Sequence, residues 1–379
     1  MKLGIPHETE GGEQRVFLPP DLVPRLQALG LDILVESAAG EAAGWTNNDY
    51  AAKGATLVTG ADQLWSEADL LVTLGGVPTS RWQQLKPGAV LAGLLNPLVN
   101  AEVLGQLASG DRTVLALERL PRTSRAQALD VLSSQATVAG YRAVLLAANA
   151  LSGFMPMLTT AAGTLPPAKV LVIGAGVAGL QAIATAKRLG GIVTAFDVRP
   201  QVKEEIESLG ARFLSIDLSL SEDLADQNGY AKSLGNPSLD QIRAALEPAL
   251  LETDVVICTA QVPNQPAPKL IAADLLERMR PGAVIVDAAA PTGGNCEMTV
   301  PGRSQRVGAV QLLAPLNLAA EVPRAASAML GRNLLSLLQL VMKDGELVLD
   351  LEDAIIGAIA LIHNGQLRDP ALLDRLQPA

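Results

Sequence analysis

The first third of the chain alternates short apolar runs with helical patterns. The apolar runs predict strands at Lys2–Ile5, Asp32–Glu36, Ala55–Val58, Asp69–Leu74, Ala89–Leu94 and Thr113–Ala116, with helical segments such as Pro20–Leu29 and Asn100–Leu107 between them. Strands spaced by helices are the signature of βαβ units and a parallel sheet. Arg125–Ala150 is long, alanine-rich and free of proline, and predicts a linking helix with Gly140 as the point of a break. Pro156, Gly163, Pro166 and Pro167 then punctuate the chain. A second α/β rhythm follows, with expected strands at Val170–Ile173, Ile192–Phe196, Arg212–Ile216, Asp254–Thr259, Ala283–Asp287 and Val307–Leu313. A second long helical pattern covers Ala319–Val341, and the last residues predict mixed helix and turn. Ser221–Pro237 is polar and interrupts the β-rich rhythm; a solvent loop and a mobile lid over a ligand or partner both fit it.

Two long helices flanking the second rhythm predict a nested α/β fold of two Rossmann-like domains with parallel sheets. Residues 1–136 plus 320–379 would form a flavodoxin/Rossmann-like domain completed by the C-terminal tail, and residues 137–319 a second Rossmann domain inserted into it. The helices would join the two, with a cleft between, a favoured position for a ligand.

Bulk properties narrow the function. With 379 residues, 49% of them apolar, the chain has enough material for two cores and little tendency to disorder. A formal charge of −10, with no basic block or aromatic-interleaved patch, argues against nucleic acid. No apolar stretch reads as a membrane span or a secretory leader, so any membrane role is expected to come through a partner rather than direct insertion. Cys258 and Cys296 are the only cysteines and His7 and His363 the only histidines, so no metal site is expected.

The sharpest local signal is Lys169-Val-Leu-Val-Ile-Gly174-Ala-Gly176-Val-Ala-Gly179, an apolar strand running into G-x-G-x-x-G and then the alanine-rich helix Leu180–Arg188. Glycines serving only a turn are the bland reading; their placement between strand and helix favours dinucleotide binding. Gly174 permits the tight turn, Gly176 the approach of a pyrophosphate and Gly179 the close packing of helix on sheet, with Ala175 and Val177 completing the loop. Asp197 ends the next strand, followed by Val198 and Arg199. A carboxylate there accepts hydrogen bonds from both adenosine ribose hydroxyls and repels a 2′-phosphate, which favours NAD(H), although Arg199 is the kind of group that pairs with a 2′-phosphate.

Acid–base groups are scarce. His7 follows a strand and is a candidate to face the cleft, whereas His363 reads as a surface turn. Most dehydrogenases need a proton acceptor as hydride leaves a hydroxyl or amine. Hydride exchange between two nicotinamides needs none, only two rings held face to face with water excluded. A polar cluster precedes the linking helix: Arg122, Ser124, Arg125, Gln127, Asp130, Ser133. In a continuous helix Gln127, Asp130 and Ser133 share one face. Two readings stand open: a set that holds a carboxamide and orients a ring, or a solvated helix start with Ser124 as N-cap and ion pairs from Asp130 to Arg122 or Arg125.

At this cluster the chain resembles the soluble alpha subunit of the NAD(P) transhydrogenases. The resemblance runs through Ser124–Val144, Met157–Ala168, Gly174–Gly190, Asp197-Val-Arg199 and Gly293-Gly-Asn-Cys296. It implies a subunit, usually a homodimer, that binds NAD(H) and docks onto an NADP(H)-binding beta subunit. The reaction implied is of the Si-specific, proton-translocating type, active only with partner subunits. Hydride would pass directly between the nicotinamides, coupled to proton movement through a membrane-spanning subunit. The location implied is cytoplasmic, peripheral on the inner face of the membrane. The resemblance further implies that Arg122, Gln127, Asp130 and Ser133 position the nicotinamide, that Tyr141 supports them, and that Tyr230 lies on a mobile loop closing at the partner.

The fold is shared with alanine dehydrogenases. Arg15 matches an arginine that binds a substrate carboxylate there, but the expected lysine is missing around Thr73–Pro78 and Asn96 stands where a catalytic histidine is expected. An amino acid dehydrogenase and a non-catalytic NAD(H)-binding regulatory subunit remain the alternatives. The chain also departs from the transhydrogenase pattern at His7, at Pro291, at Pro263-Asn264 and across Leu316–Arg324.

Overall fold

The computed structural model describes residues 1–215, 236–262 and 265–376. Tyr230, most of the polar stretch 221–237 and the Pro263-Asn264 turn lie outside these. Two units emerge, one formed by Met1–Gln135 with Ala320–Ala379 and the other by Ala136–Ala319.

In the first unit an eight-stranded sheet runs, edge to edge, Gln366–Leu367, Ala360–His363, Thr113–Ala116, Val90–Gly93, Leu70–Thr73, Lys2–Ile5, Asp32–Glu36 and Thr56–Val58. Period-2 geometry sends alternate residues of each strand to opposite faces. Ile33, Val35, Leu70, Val72 and Leu115 enter one core with Leu330 and Leu334, while Leu34, Leu71, Leu91 and Val114 enter the other with Trp65 and Trp82. The six strands from the N-terminal third pair in parallel.

The tail departs from its expectation of helix and turn. After the helix Ala354–Ile359, Ala360–His363 pairs antiparallel with Thr113–Ala116 and then with Gln366–Leu367. The turn between them is Asn364-Gly365, with φ of 46° and 76°, the left-handed pair that a two-residue hairpin requires. His363 is therefore the last residue of a strand and half-buried, not part of a surface turn. The apolar run is too short to show a period, so its pairing with a strand some 250 residues away decides the outcome.

The second unit carries a seven-stranded sheet ordered Arg212–Phe213, Ile192–Phe196, Lys169–Ile173, Val255–Cys258, Val284–Asp287, Val310–Leu313 and Ser304–Val307. All neighbours are parallel except the last pair. The expected single strand Val307–Leu313 is thus two antiparallel strands turned at Gly308, whose φ is +58°. The expected strand Arg212–Ile216 pairs only through Arg212 and Phe213. Within the second unit, ahead of its first sheet strand, lies a hairpin, Leu158–Thr160 with Gly163–Leu165, beside which Phe154 and Met157 are exposed.

The linking segment is not one helix. Ser124–Leu129 is 3-10, Asp130 leaves helical geometry with ψ of 90°, and the α-helix proper is Val131–Ala150, continuous through Gly140. Gln127, Asp130 and Ser133 therefore do not share a helical face. Gly140 marks a close approach instead of a break: a Cβ there would fall 2.0 Å from the carbonyl oxygen of Ala178. Gly140→Ala should destabilise the protein by about 1–3 kcal/mol, the usual penalty for overpacking. Thermal unfolding of the variant checks this, and an unchanged midpoint would contradict the packing described.

Candidate functional site

The strand Lys169–Ile173 ends in Gly174, whose φ is +94°. The helix Val177–Arg188 begins almost at once, and room for it exists only because two glycines lack Cβ. A Cβ on Gly174 would lie 2.8 Å from the amide nitrogen of Ala260, and one on Gly179 would lie 1.9 Å from the carbonyl oxygen of Gly174. Thr259 Oγ1 donates to that same carbonyl at 2.9 Å. Gly176 differs: it is the N-cap, with φ of −75°, no side-chain capping bond, and nothing within 4 Å of a Cβ built on it. The uncapped start of a twelve-residue helix supplies backbone N–H donors and the positive end of the helix dipole. An open cradle with those donors fits a pyrophosphate.

Asp197 closes the site's far side. Only 9% exposed, it accepts from the amide of Ala175 at 2.7 Å and from the amide of Arg199 at 2.9 Å. The Arg199 side chain folds back onto the same carboxylate, with Nε to Oδ1 at 2.9 Å and Nη2 to Oδ2 at 3.0 Å. This pairing holds the Arg199 guanidinium above its ordinary pKa. Val198 between them is half-buried.

Residues that the fingerprint did not point to hold the neighbouring loops. Asn295 is fully buried; its amide donates to the carbonyls of Ala260 and Pro268 at 2.8 and 2.9 Å, and its oxygen accepts from Ala260 at 3.1 Å. Asp287 accepts from Thr299 Oγ1 at 2.5 Å and from the amides of Cys296 and Ala289 at 3.1 Å, and burial pushes its carboxyl pKa up. Burial also raises the Cys258 thiol, and lifts Cys296 to about 11, so both are neutral packing groups. The signal for this bracing was Gly293-Gly-Asn-Cys296, whose glycines sit at φ of 101° and 83°. Pro291 lies in the short turn before it, exposed.

In the first unit, Asp130 caps the helix Val131–Ala150. Its Oδ1 accepts from the amide of Ser133 at 2.9 Å and its Oδ2 from Ser133 Oγ at 2.6 Å. Capping, not a shared helical face, brings this pair together. Ser124 is not the cap: the 3-10 turn starts after Thr123, with no side-chain capping bond. Gln127 is exposed on that turn and Arg122 just ahead of it, while Ala126, Leu129 and Val131 anchor its underside in the core. Asn333 Nδ2 donates to the Ala128 carbonyl at 2.9 Å. Arg125 pairs with Asp353, not with Asp130. Tyr141 is 41% exposed on the helix within the second unit.

A second polar cluster sits where the strand order of the first sheet reverses, at the carboxyl ends of Lys2–Ile5 and Leu70–Thr73, a favoured ligand position in such sheets. Here protein groups fill it. Glu8 accepts from the amide of Leu74 at 2.6 Å and from Thr73 Oγ1 at 2.9 Å. Burial pushes its carboxyl up to about 7. Arg15 Nε and Nη2 donate to Glu13 at 2.7 and 2.6 Å, and Nη1 donates to Gln135 at 2.8 Å. Gln135 in turn donates to Ala326, and Ser327 accepts from the amide of Val16 at 2.9 Å. The His7 amide donates to Glu36 at 2.9 Å. Asn96 stands in a left-handed turn, φ of 47°, with its amide on Glu118 at 2.6 Å. Among the described residues no group of three His, Cys, Asp or Glu is placed to hold a metal, and no helix is long and apolar enough to cross a membrane.

Residues 4–139 match the family model described as alanine dehydrogenase/PNT, N-terminal domain, and residues 143–370 the corresponding C-terminal domain. The chain is similar to an NAD(P) transhydrogenase subunit alpha chain of Rhodospirillum rubrum, with 41% identity across 98% of this chain and 99% of that one. Among solved structures it is similar to a transhydrogenase from Sinorhizobium meliloti, with a TM-score of 0.84 and 35% identity over 98% of this chain and all of that one. An L-alanine dehydrogenase follows at a TM-score of 0.78 and 26% identity, covering 99% of each chain.

Two outcomes are expected. Gly176→Ala should melt as the parent does, yet bind NADH about tenfold or more weakly, because the added methyl enters only the cradle. Gly179→Ala should instead lose about 1–3 kcal/mol of stability through its clash with Gly174. Calorimetry and thermal melts separate the two, and equal behaviour would contradict the assigned roles. Glu8 carries a pH signature. Its folded pKa of about 7 lies above the ordinary 4.5, so the folded state holds a proton that the unfolded chain has released. Its contribution is fully present below pH 4.5 and is lost as pH rises through 7, about 3 kcal/mol in all. Denaturant titrations between pH 5 and 8 should show a shallower fall in stability for Glu8→Gln than for the parent.

Proposed function

We propose, on the premise that this chain belongs to the alanine dehydrogenase/PNT family, that it is the NAD(H)-binding subunit of a proton-translocating NAD(P) transhydrogenase. The observation that carries the reading is the open, uncapped helix start at Gly176 beside a buried Asp197, joined in one chain to the polar corner of Arg122, Gln127, Asp130 and Ser133. Gly174, Ala175 and Gly179 shape the loop, Gly176 and Val177 present backbone N–H groups to the pyrophosphate, and Asp197 takes the adenosine ribose. When bound, NAD(H) supplies or accepts the hydride.

The nicotinamide end is assigned to the polar corner, with Tyr141 and Tyr230 in support, and this assignment rests on the resemblance. The cap bonds support a positioning role. Asp130 and Ser133 are locked to each other, so the corner is pre-organised and little ordering is left to binding. A transfer between two nicotinamides on separate subunits asks these groups to position the ring and not to accept a proton. The partners are an NADP(H)-binding beta subunit and a membrane-spanning subunit, through which the chain sits peripherally on the inner face of the membrane. A homodimer is supported by the hairpin Leu158–Leu165 and its approach, where Phe154, Met157 and Leu165 are 53%, 61% and 50% exposed: a lone two-stranded hairpin with bare apolar groups gains by being covered.

The amino acid dehydrogenase reading has less support. Asn96 offers no titratable group, and three nitrogens of Arg15 are already engaged by Glu13 and Gln135. The test is stopped-flow transfer from NADH on this chain to an oxidised NADP analogue on the partner domain. Fast transfer should require both proteins and fall at least about tenfold in Gln127→Ala and in Asp130→Asn, which keeps a helix cap. Undiminished transfer in both variants, or oxidation of an amino acid by this chain alone, would sink the proposal.

A further inference from the structure

The four hydrogen bonds on Asp197 divide in a particular way. Each carboxylate oxygen holds one backbone N–H and one guanidinium N–H: Ala175 N and Arg199 Nη2 on Oδ2, Arg199 N and Arg199 Nε on Oδ1. A carboxylate offers about four acceptor directions, two on each oxygen, so all of them have donors. The backbone donors belong to the turn and cannot leave without unmaking it. The guanidinium can swing away by side-chain rotation alone. What it vacates is one acceptor direction on each of two adjacent oxygens, the pair that the two hydroxyls of a ribose use. Glu205, in the helix Lys203–Ser208, also acts on Arg199 and gives a displaced guanidinium an anionic neighbour.

Resting on the assignment of Asp197 to the adenosine ribose, we propose that the Arg199 side chain is an internal stand-in for the ribose diol, plugging the adenosine subsite until a ligand with both hydroxyls displaces it. Arg199 then acts as a positioning residue with two effects. It keeps Asp197 compensated while the subsite lacks nucleotide, since a buried carboxylate without its donors is costly. It also sets a threshold that only a bidentate donor crosses, so discrimination for the intact diol exceeds what Asp197 alone would give. The threshold lowers affinity for NAD(H) itself, which suits a subunit that must release its nucleotide each turnover.

The experiment is calorimetric titration of the full chain and of Arg199→Met with NADH, with AMP, and with 2′,3′-dideoxyadenosine 5′-monophosphate. Arg199→Gln serves as a second variant should the first fail to fold. Removing the plug should tighten NADH and AMP about tenfold, the scale of a hydrogen bond to a charged group, while the dideoxy ligand changes by less than about twofold. Unchanged or weakened binding of NADH and AMP would overturn the proposal, and so would equal tightening of the dideoxy ligand. Failure of the underlying assignment looks different: the parent chain would bind neither NADH nor AMP, or Gly176→Ala would leave their affinities untouched. In that case the proposal falls with it.

Discussion

The contact between Gly179 and the carbonyl of Gly174 sets the geometry from which the nucleotide site follows. A strand that ends and a helix that starts after only three intervening residues must pass within a distance no Cβ permits, 1.9 Å at this position. That closeness aims the first turn of the helix outward at Gly176 and turns the amide of Ala175 onto Asp197. Thr259 joins by donating to the same carbonyl, and Asn295 fixes the loop behind Thr259. The site is thus a stack of backbone groups locked from behind, with its open side made of N–H donors. Such a site binds an anion without carrying net positive charge, consistent with a chain of formal charge −10.

Buried polar groups do comparable work in the first unit by a different route. At its strand-order reversal the crevice is closed by Glu8, Glu13 and Arg15, tied through Gln135 and Ser327 to both long helices. Charges at such depth persist only when every partner is present, and the Glu8 carboxyl answers by holding its proton to about pH 7. In both units carboxylates meet arginines within two residues of sequence, Glu13 with Arg15 and Asp197 with Arg199. In each case a near neighbour in the chain supplies donors to the carboxylate.

Much of the architecture was legible because it is local. Short apolar runs located the parallel strands of both sheets, since a strand buried on both faces needs an apolar residue at nearly every position. The glycine fingerprint was legible because its residues are fixed by sterics acting over six positions. Asp197 was legible because it sits at the end of the next strand.

What stayed hidden depends on partners distant in sequence. The end of the linking helix looked continuous because Asp130 has acceptable helical neighbours; its departure to cap the next helix is visible only once Ser133 is bound to it. The tail strand Ala360–His363 has no period of its own and exists by pairing with Thr113–Ala116. Arg125 pairs with Asp353 and not with the nearer Asp130, because direction in the folded chain outweighs proximity along it. Periodicity and sterics act between neighbours and can be read from residues in order. Hydrogen-bond satisfaction is an accounting over the whole folded volume, so the side chains that close it are assigned only when the chain has folded.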